Sequence, residues 1–318
     1  MHLSETPDAR LLFVTLSNIG DMVLTTPALE ALHEAYPDHR IDIIADARSS
    51  DLLASCPYRG DLLHRDKRAG WRGMLHLIRA LRGRRYTAVV DLRTDFLPWL
   101  LKAGRRTARW RAGPHGAHAV DQHYAIAARV LPNATRPPPA RVWLAPGDAE
   151  WADATLAAFN DRGPWLALAP GANWPGKIWP LTHYKKLLEE VAPLFGGMMV
   201  LGSAQDRLLA AELSATRALP CLDCTGRTTL TQAAALLDHA EFFVGNDSGL
   251  GHIAAARGVP TLTLMGPGRP ERYKPFGPNA TLLEAPSRDL TRLTPALVGA
   301  TLREKMAAKR PERPHSTL

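Results

Sequence analysis

This sequence predicts two doubly wound α/β domains with a ligand cleft between them, and three observations carry that expectation. From residue 11 onward, short apolar runs alternate with helix-compatible stretches, as βα units do. A connector at residues 132–146, carrying Pro132, Pro137, Pro138, Pro139 and Pro146, interrupts the alternation. The same alternation then restarts at residue 165. Ligands of such sheets sit beyond the carboxyl ends of the strands, so the loops after strands are the places to look for chemistry.

In the first half, residues 11–16 (LLFVTL) read as a buried strand and 17–21 (SNIGD) as a tight turn. Residues 22–36 read as a helix with apolar positions at Val23, Leu24, Ala28, Leu29 and Leu32. Residues 41–45 (IDIIA) are the next strand, 71–81 a helix and 87–92 (TAVVDL) a further strand. The second half opens on a connecting helix at 148–159, then strand 165–169 (WLALA), loop 170–180 and helix 181–192. Strand 198–201, helices 206–216 and 230–237, strand 240–244 (AEFFV), helix 250–256 and strand 261–264 (TLTL) complete the series. The boundaries expected are 1–146 and 147–306, with the option that the last helix, 290–306, packs back on the first domain. Residues 307–318 read as a flexible basic tail.

Composition narrows the class. A chain of 318 residues, 46% hydrophobic, can bury two cores of ordinary size. The first ten residues lack the layout of a secretory signal, and no apolar run approaches the roughly 20 residues that span a bilayer, so a cytoplasmic location is expected. Cys221 and Cys224 form a CxxC whose flanks supply no further ligands. They read as reduced and incidental, with a redox pair as the minor reading, and no metal site is expected. The net charge is +8, and residues 59–111 hold fifteen Lys or Arg against four Asp. Residue by residue such a run is a solvated face. As a group it suits an anionic partner, and nucleic acid, acidic lipid and a phosphorylated glycan all fit.

Three loops fall at strand ends: SNIGD at 17–21, PGANWPGKIWP at 170–180 and GNDSGLGH at 245–252. None is a standard nucleotide fingerprint, and Asn246 occupies the place where a hydrolase elbow needs its first glycine, which argues against Ser248 as a nucleophile. Asp247 and Ser248 taken singly read as helix caps. Grouped with Gly249, Gly251 and His252 they read better as an anion site, because glycines let N–H groups approach and a helix start presents unpaired donors. His252 is placed to donate either to phosphate or to a neighbouring carbonyl, with nothing to choose between them. Lys177, in a loop stiffened by Pro175, Trp174 and Trp179, reads either as a surface lysine or as an ammonium held against a departing diphosphate, and Asn173 shares that loop. Asp21 reads either as a cap or as a general base at the end of the first strand. Asp206 is a candidate partner for ribose hydroxyls and equally a solvent-facing helix start.

Taken together, GNDSGLGHIAAARGVPTLTLMGP (245–267), LSNIGDMVLTTPAL (16–29) and PGANWPGKIWP (170–180) resemble the heptosyltransferase family of bacterial glycosyltransferases, over nearly the whole chain. The resemblance implies a GT-B fold, an N-terminal acceptor domain and a C-terminal domain for a nucleotide sugar, typically ADP-L-glycero-D-manno-heptose. It implies inversion at the anomeric carbon without a metal ion or other cofactor. By position, Asp21 matches the family's general base, Lys177 the lysine near the diphosphate, and Asp247, Ser248 and Gly249 the phosphate-binding turn, with His252 in the same motif. Asp206 falls where a ribose-binding acid is seen, and Arg227 and Thr228 where backbone meets adenine. One departure is Thr15, where family members often carry Lys or Arg.

The expected partners are thus a nucleotide sugar and a phosphorylated, lipid-linked glycan of the lipopolysaccharide inner core, with peripheral contact at the cytoplasmic face of the inner membrane. A GT-B transferase using another activated sugar, or a protein acceptor, is the first rival. A non-catalytic nucleotide- or nucleic-acid-binding protein is the second, and the absence of any RNA-module signature sets it aside.

Overall fold

The computed structural model describes residues 9–64, 70–111, 116–133, 136–159 and 163–309. Of the expected basic tail, 310–318 lie outside the described residues, while 307–309 end the last helix. The chain divides into two compact units, one of Met1–Pro146 with Glu271–Phe276, the other of Gly147–Pro270 with Gly277–Leu318. Among the described residues no helix is long and apolar enough to cross a membrane.

The first unit contains β1 (Arg10–Val14), α1 (Ile19–Val23), α2 (Thr26–Ala35), β2 (Arg40–Ala45), α3 (Asp51–Ala54), β3 (Arg59–His64), α4 (Gly70–Arg82), β4 (Arg85–Asp91), β5 (Lys102–Ala108) and α5 (Ala119–Ala128). Its sheet is wholly parallel in the order β3-β2-β1-β4-β5. Strand β1 sits at the centre, and Leu11, Leu12, Phe13 and Val14 are buried, as a strand covered on both faces requires. The helix expected over 22–36 is in fact two. Pro27 cannot donate an N–H to a continuous helix, and the Thr25 and Thr26 hydroxyls bond back to the carbonyls of Met22 and Val23 at 2.7 and 2.8 Å, so the chain breaks there. Thr15 is fully buried and its hydroxyl meets that of Thr25 at 2.7 Å, so it joins β1 to the helix break.

One buried charge ties this sheet together. Asp42 on β2 is fully buried, and its carboxylate accepts from Arg10 Nη1 at 2.7 Å, Arg84 Nη1 at 2.6 Å, Tyr86 Oη at 3.1 Å and the Asp61 N–H at 2.9 Å. Asp61 also pairs with Arg84, whose guanidinium beside it holds that carboxyl below its ordinary value. The segment Glu271–Phe276 belongs to this unit although it comes late in the chain. Tyr273 and Phe276 cover Leu24, Ala119 and Val120. His118, which caps α5 by accepting from Val120 N–H, donates from Nε2 to the Lys274 carbonyl at 2.9 Å.

The second unit contains α6 (Asp148–Ala157), β6 (Trp165–Ala169), α7 (Leu181–Val191), β7 (Gly197–Val200), α8 (Arg207–Ser214), β8 (Cys221–Asp223), α9 (Leu230–Asp238), β9 (Ala240–Asn246), α10 (Gly249–Ala256), β10 (Thr261–Met265), the short α11 (Pro270–Tyr273), which runs on into the first unit's segment, β11 (Ala280–Glu284) and α12 (Pro295–Lys309). The parallel sheet runs β11-β10-β9-β6-β7-β8. That is the doubly wound order, with connections going one way from β6 and the other way from β9. Leu166, Leu168, Met198, Val200, Phe242, Val244, Leu262 and Leu264 form the core with Tyr184, Leu187 and Leu188 of α7. The closing helix α12 packs on α7 of this same unit, its Val298 and Leu302 in that core.

Candidate active site

The strand order fixes where the second unit can bind a ligand. Strands β6 and β9 are neighbours whose outgoing loops diverge to opposite faces, which leaves a crevice at their carboxyl ends. The two loops there are 170–180 and 245–252, two of the three singled out in the sequence.

Asn246, the last residue of β9, locks them together. Fully buried, it accepts at Oδ1 from the Trp179 N–H at 3.0 Å and from Tyr184 Oη at 3.3 Å, and its amide donates to the Pro170 carbonyl at 2.6 Å. Both ends of the 170–180 loop are thereby pinned to the end of β9. Trp179, itself fully buried, donates from Nε1 to the Leu293 carbonyl at 2.8 Å. Sequence reasoning used Asn246 only to exclude a hydrolase elbow and missed this role, although a polar residue ending an apolar strand was its signal. Replacing Asn246 with alanine leaves buried donors and an acceptor unpaired, and is expected to cost about 3 kcal/mol in chemical denaturation. A loss under about 1 kcal/mol would show that those groups find other partners.

The lock brings Lys177 to the turn. Its Nζ lies 2.5 Å from Asp247 Oδ2, with 27% of the lysine side chain and 11% of the aspartate exposed. The lysine is half-buried and ion-paired at the turn. An ammonium has three donors and the carboxylate takes one, so two remain for an incoming anion. The Asp247 carboxylate pairs with Lys177, and its N–H donates to the Leu264 carbonyl at 3.2 Å.

The donors of the turn come from Ser248 and the first turn of α10. Ser248 is the N-cap of that helix, with extended φ and ψ, yet its side chain makes no cap bond. Its hydroxyl is shielded from solvent and has no hydrogen-bond partner among the described residues. The capping role open to Ser248 in the sequence is not taken up. What remains is a hydroxyl and the N–H groups that open α10 from Gly249, which have no intrahelical acceptor and lie at the positive end of its dipole. His252, one turn in, is buried.

Asp206 lies beside this crevice, in the loop after β7. Its Oδ2 accepts from the Ser203 N–H at 2.7 Å and hydroxyl at 2.8 Å in a capping box, and the side chain is half-buried. Its carboxylate also lies against Gly171, where an added Cβ would come within 2.0 Å of Oδ1, so a larger residue there displaces the Asp206 side chain. Arg227 is exposed and held to Asp223, at 3.3 Å to the carbonyl and 3.7 Å to the carboxylate; Thr228 comes next in the turn after β8. The Gly226 N–H donates to the Gly202 carbonyl at 2.9 Å, which sets this turn against the one carrying Asp206. Asn173 is exposed in the 170–180 loop. Cys221 and Cys224 are free, and burial pushes their thiols up to about 11 and 12, so neither is a thiolate at neutral pH. Among the described residues no group of three His, Cys, Asp or Glu could hold a metal ion.

In the first unit the corresponding switch lies between β1 and β4. Asp21 is in the first turn of α1, half-buried, and accepts from Asn18 Nδ2 at 2.9 Å. Burial holds the neighbouring His123 below the usual histidine value against the pull of Asp21; His123 donates from Nδ1 to the Leu24 carbonyl at 3.2 Å. At the end of β4, Asp91 is fully buried and shapes its own turn, accepting from the N–H groups of Arg93 and Thr94 at 2.9 and 2.7 Å. Burial raises its pKa.

Two parallel, doubly wound units in one chain, with the glycine-rich turn at the switch point of the second, have the architecture of GT-B glycosyltransferases. The chain belongs to glycosyltransferase family 9 (heptosyltransferase), whose model matches residues 74–293, and it is a glycosyltransferase. Lipooligosaccharide heptosyltransferase 2 of Haemophilus influenzae is 29% identical over 309 residues, spanning 86% of this chain and 88% of that protein. Lipopolysaccharide heptosyltransferase 1 of Pseudomonas aeruginosa is 29% identical over 298 residues, spanning 82% and 79%. Among solved structures, the ADP-heptose lipopolysaccharide heptosyltransferase II of E. coli superposes with a TM-score of 0.77 at 25% identity, covering 94% of this chain and 99% of that one. The family 9 glycosyltransferase from Veillonella parvula superposes at 0.84 with 19% identity, covering 95% and 98%, a likeness of fold.

Proposed function

We propose that this chain moves a heptose from ADP-L-glycero-D-manno-heptose to a lipopolysaccharide inner-core acceptor, inverting the anomeric carbon without a metal ion. The observation that carries the reading is the Lys177–Asp247 pair beside the open start of α10. A leaving diphosphate gathers negative charge as its bond to the sugar breaks, and a fixed ammonium with two unused donors stabilises that charge without reorganising. The Ser248 hydroxyl and the N–H groups from Gly249 onward add hydrogen bonds, and His252 stands behind them. Asp206 faces the ribose, Asn173 borders the diphosphate, and Arg227 with Thr228 meets the adenine. Asp21 takes the proton from the acceptor hydroxyl, whose oxygen bonds to the anomeric carbon as ADP leaves from the opposite face. The acceptor is a phosphorylated, lipid-linked glycan at the cytoplasmic face of the inner membrane.

The relatives' names support the donor and acceptor classes, and the basic composition of the first unit suits a phosphorylated acceptor. The test is calorimetry with ADP, UDP and GDP on the full chain. ADP is expected to bind at least about tenfold more tightly than the others, a difference of about 1.4 kcal/mol. A preference for UDP or GDP would reassign the donor to another activated sugar.

A further inference from the structure

The first unit carries an exposed surface to which none of the candidate site residues belongs. Helix α4 and the turn at Leu97–Leu100 lie side by side on one face of the sheet, since Leu77, Ile78, Leu81, Leu97 and Leu101 share one core cluster with Leu12 and Val14. Arg82 Nε joins them by donating to the Leu100 carbonyl at 2.8 Å. Trp99 stacks on Trp110, with ring centroids 5.4 Å apart, and Trp110 Nε1 donates to the Asp95 carbonyl at 3.2 Å. The outward side of this layer is apolar where a solvated surface has no use for it. Trp71 is 69% exposed, Phe96 77% and Trp110 58%, with Leu75, Trp99 and Leu100 also exposed. Lone exposed apolar residues need no account, but a neighbouring group of this size marks an interaction surface.

Its charge says what it meets. Arg72, Arg79 and Arg82 project from α4 among these side chains, and Lys102 and Arg109 flank the turn; all five are exposed. From residue 70 to 110 the sequence has ten Lys or Arg against Asp91 and Asp95 alone. Asp91 is buried, and Asp95 is already paired with Arg109 at 3.2 Å. A protein–protein interface also gathers aromatic side chains and arginine, but around a core depleted of charge. Here Arg72, Arg79 and Arg82 share α4 with the exposed Trp71 and Leu75, and the Arg72 guanidinium lies 5.6 Å from the Trp71 ring centroid. Indoles and long basic side chains in one layer suit the headgroup region of a bilayer, where rings enter the acyl boundary and cations meet lipid phosphates.

We infer that the outer face of α4 with the Phe96–Leu100 turn and Trp110 is a docking surface for an anionic phospholipid bilayer. It deepens the reading of a lipid-linked acceptor and draws its biological setting from that reading, but vesicles free of any acceptor test it separately. The full chain is sedimented with vesicles of equal parts phosphatidylcholine and phosphatidylglycerol, with pure phosphatidylcholine vesicles, and with a single-stranded RNA homopolymer, each at low and high salt. Binding to the anionic vesicles, weakened by salt, is expected. It should fall by about tenfold or more in Trp71→Ser/Leu75→Ser and in Arg72→Glu/Arg79→Glu, because each basic residue at such a surface contributes about a fivefold effect. The melting curves and ADP affinities of both variants should stay those of the parent. Equal binding to neutral and anionic vesicles, variants that bind like the parent, or tighter binding to RNA than to vesicles would each overturn the inference. A failed ADP preference beside intact vesicle binding would count against the donor alone.

Discussion

Asp21→Ala is expected to lower turnover by roughly 10²- to 10⁴-fold while leaving donor affinity within about twofold of the parent, the range for loss of a positioned general base. The expectation rests on location. Asp21 is held by Asn18 at the carboxyl end of β1, at the switch point of the first sheet, and the neighbouring His123 is kept neutral by burial and bonded to a carbonyl, so it does not neutralise the carboxylate as an imidazolium would. Asp21→Asn keeps the size and the Asn18 contact but cannot accept a proton, and should fall as far as alanine. Single-turnover rates with saturating donor separate the chemical step from binding. A variant that retains most of its turnover would remove Asp21 from the base role.

Asp42→Ala is expected to destabilise the first unit by about 3–5 kcal/mol, the cost of removing one partner from a buried charge network. The carboxylate is fully buried and is the shared acceptor of Arg10, Arg84, Tyr86 and a backbone N–H. Without it, two half-buried guanidinium groups face each other across a cavity. Because the chain has two units, the quantity to follow is the urea transition of the first unit, with that of the second unchanged. Asp42→Asn fills the space but withdraws the charge, and should fall between the parent and alanine. A shift below about 1 kcal/mol would mean that the arginines relax into solvent.

Much of this molecule is legible in its sequence, and what escaped did so for identifiable reasons. Seven strands could be read as apolar runs, and they are the ones flanked on both sides. The four that could not, Arg59–His64, Lys102–Ala108, Cys221–Asp223 and Ala280–Glu284, are the four edges of the two sheets. An edge strand has one neighbour and more solvent, so it carries charge in place of the apolar run that marks a covered strand. The break between α1 and α2 was hidden because the periodicity of 22–36 continues across it, while two threonine hydroxyls and Pro27 decide the backbone locally. The glycine-rich turn was visible because its composition is unusual. Its division of labour was not, since committing Asp247 to Lys177 depends on a contact between residues 70 positions apart. Asn246 shows the same limit: its residue type is plain, but its partners are at Pro170, Trp179 and Tyr184.

The assignment of Glu271–Phe276 to the first unit bears on how the protein is made. The bond from His118 to the Lys274 carbonyl spans 156 residues, and Tyr273 and Phe276 cover Leu24, Ala119 and Val120. A nascent chain that has emerged only through Pro146 thus leaves an apolar patch open until Gly147–Pro270 of the second unit has been made. Hybrids that exchange halves between relatives at residue 146 separate this segment from its seat. Hybrids that exchange 1–146 together with 271–276 keep it.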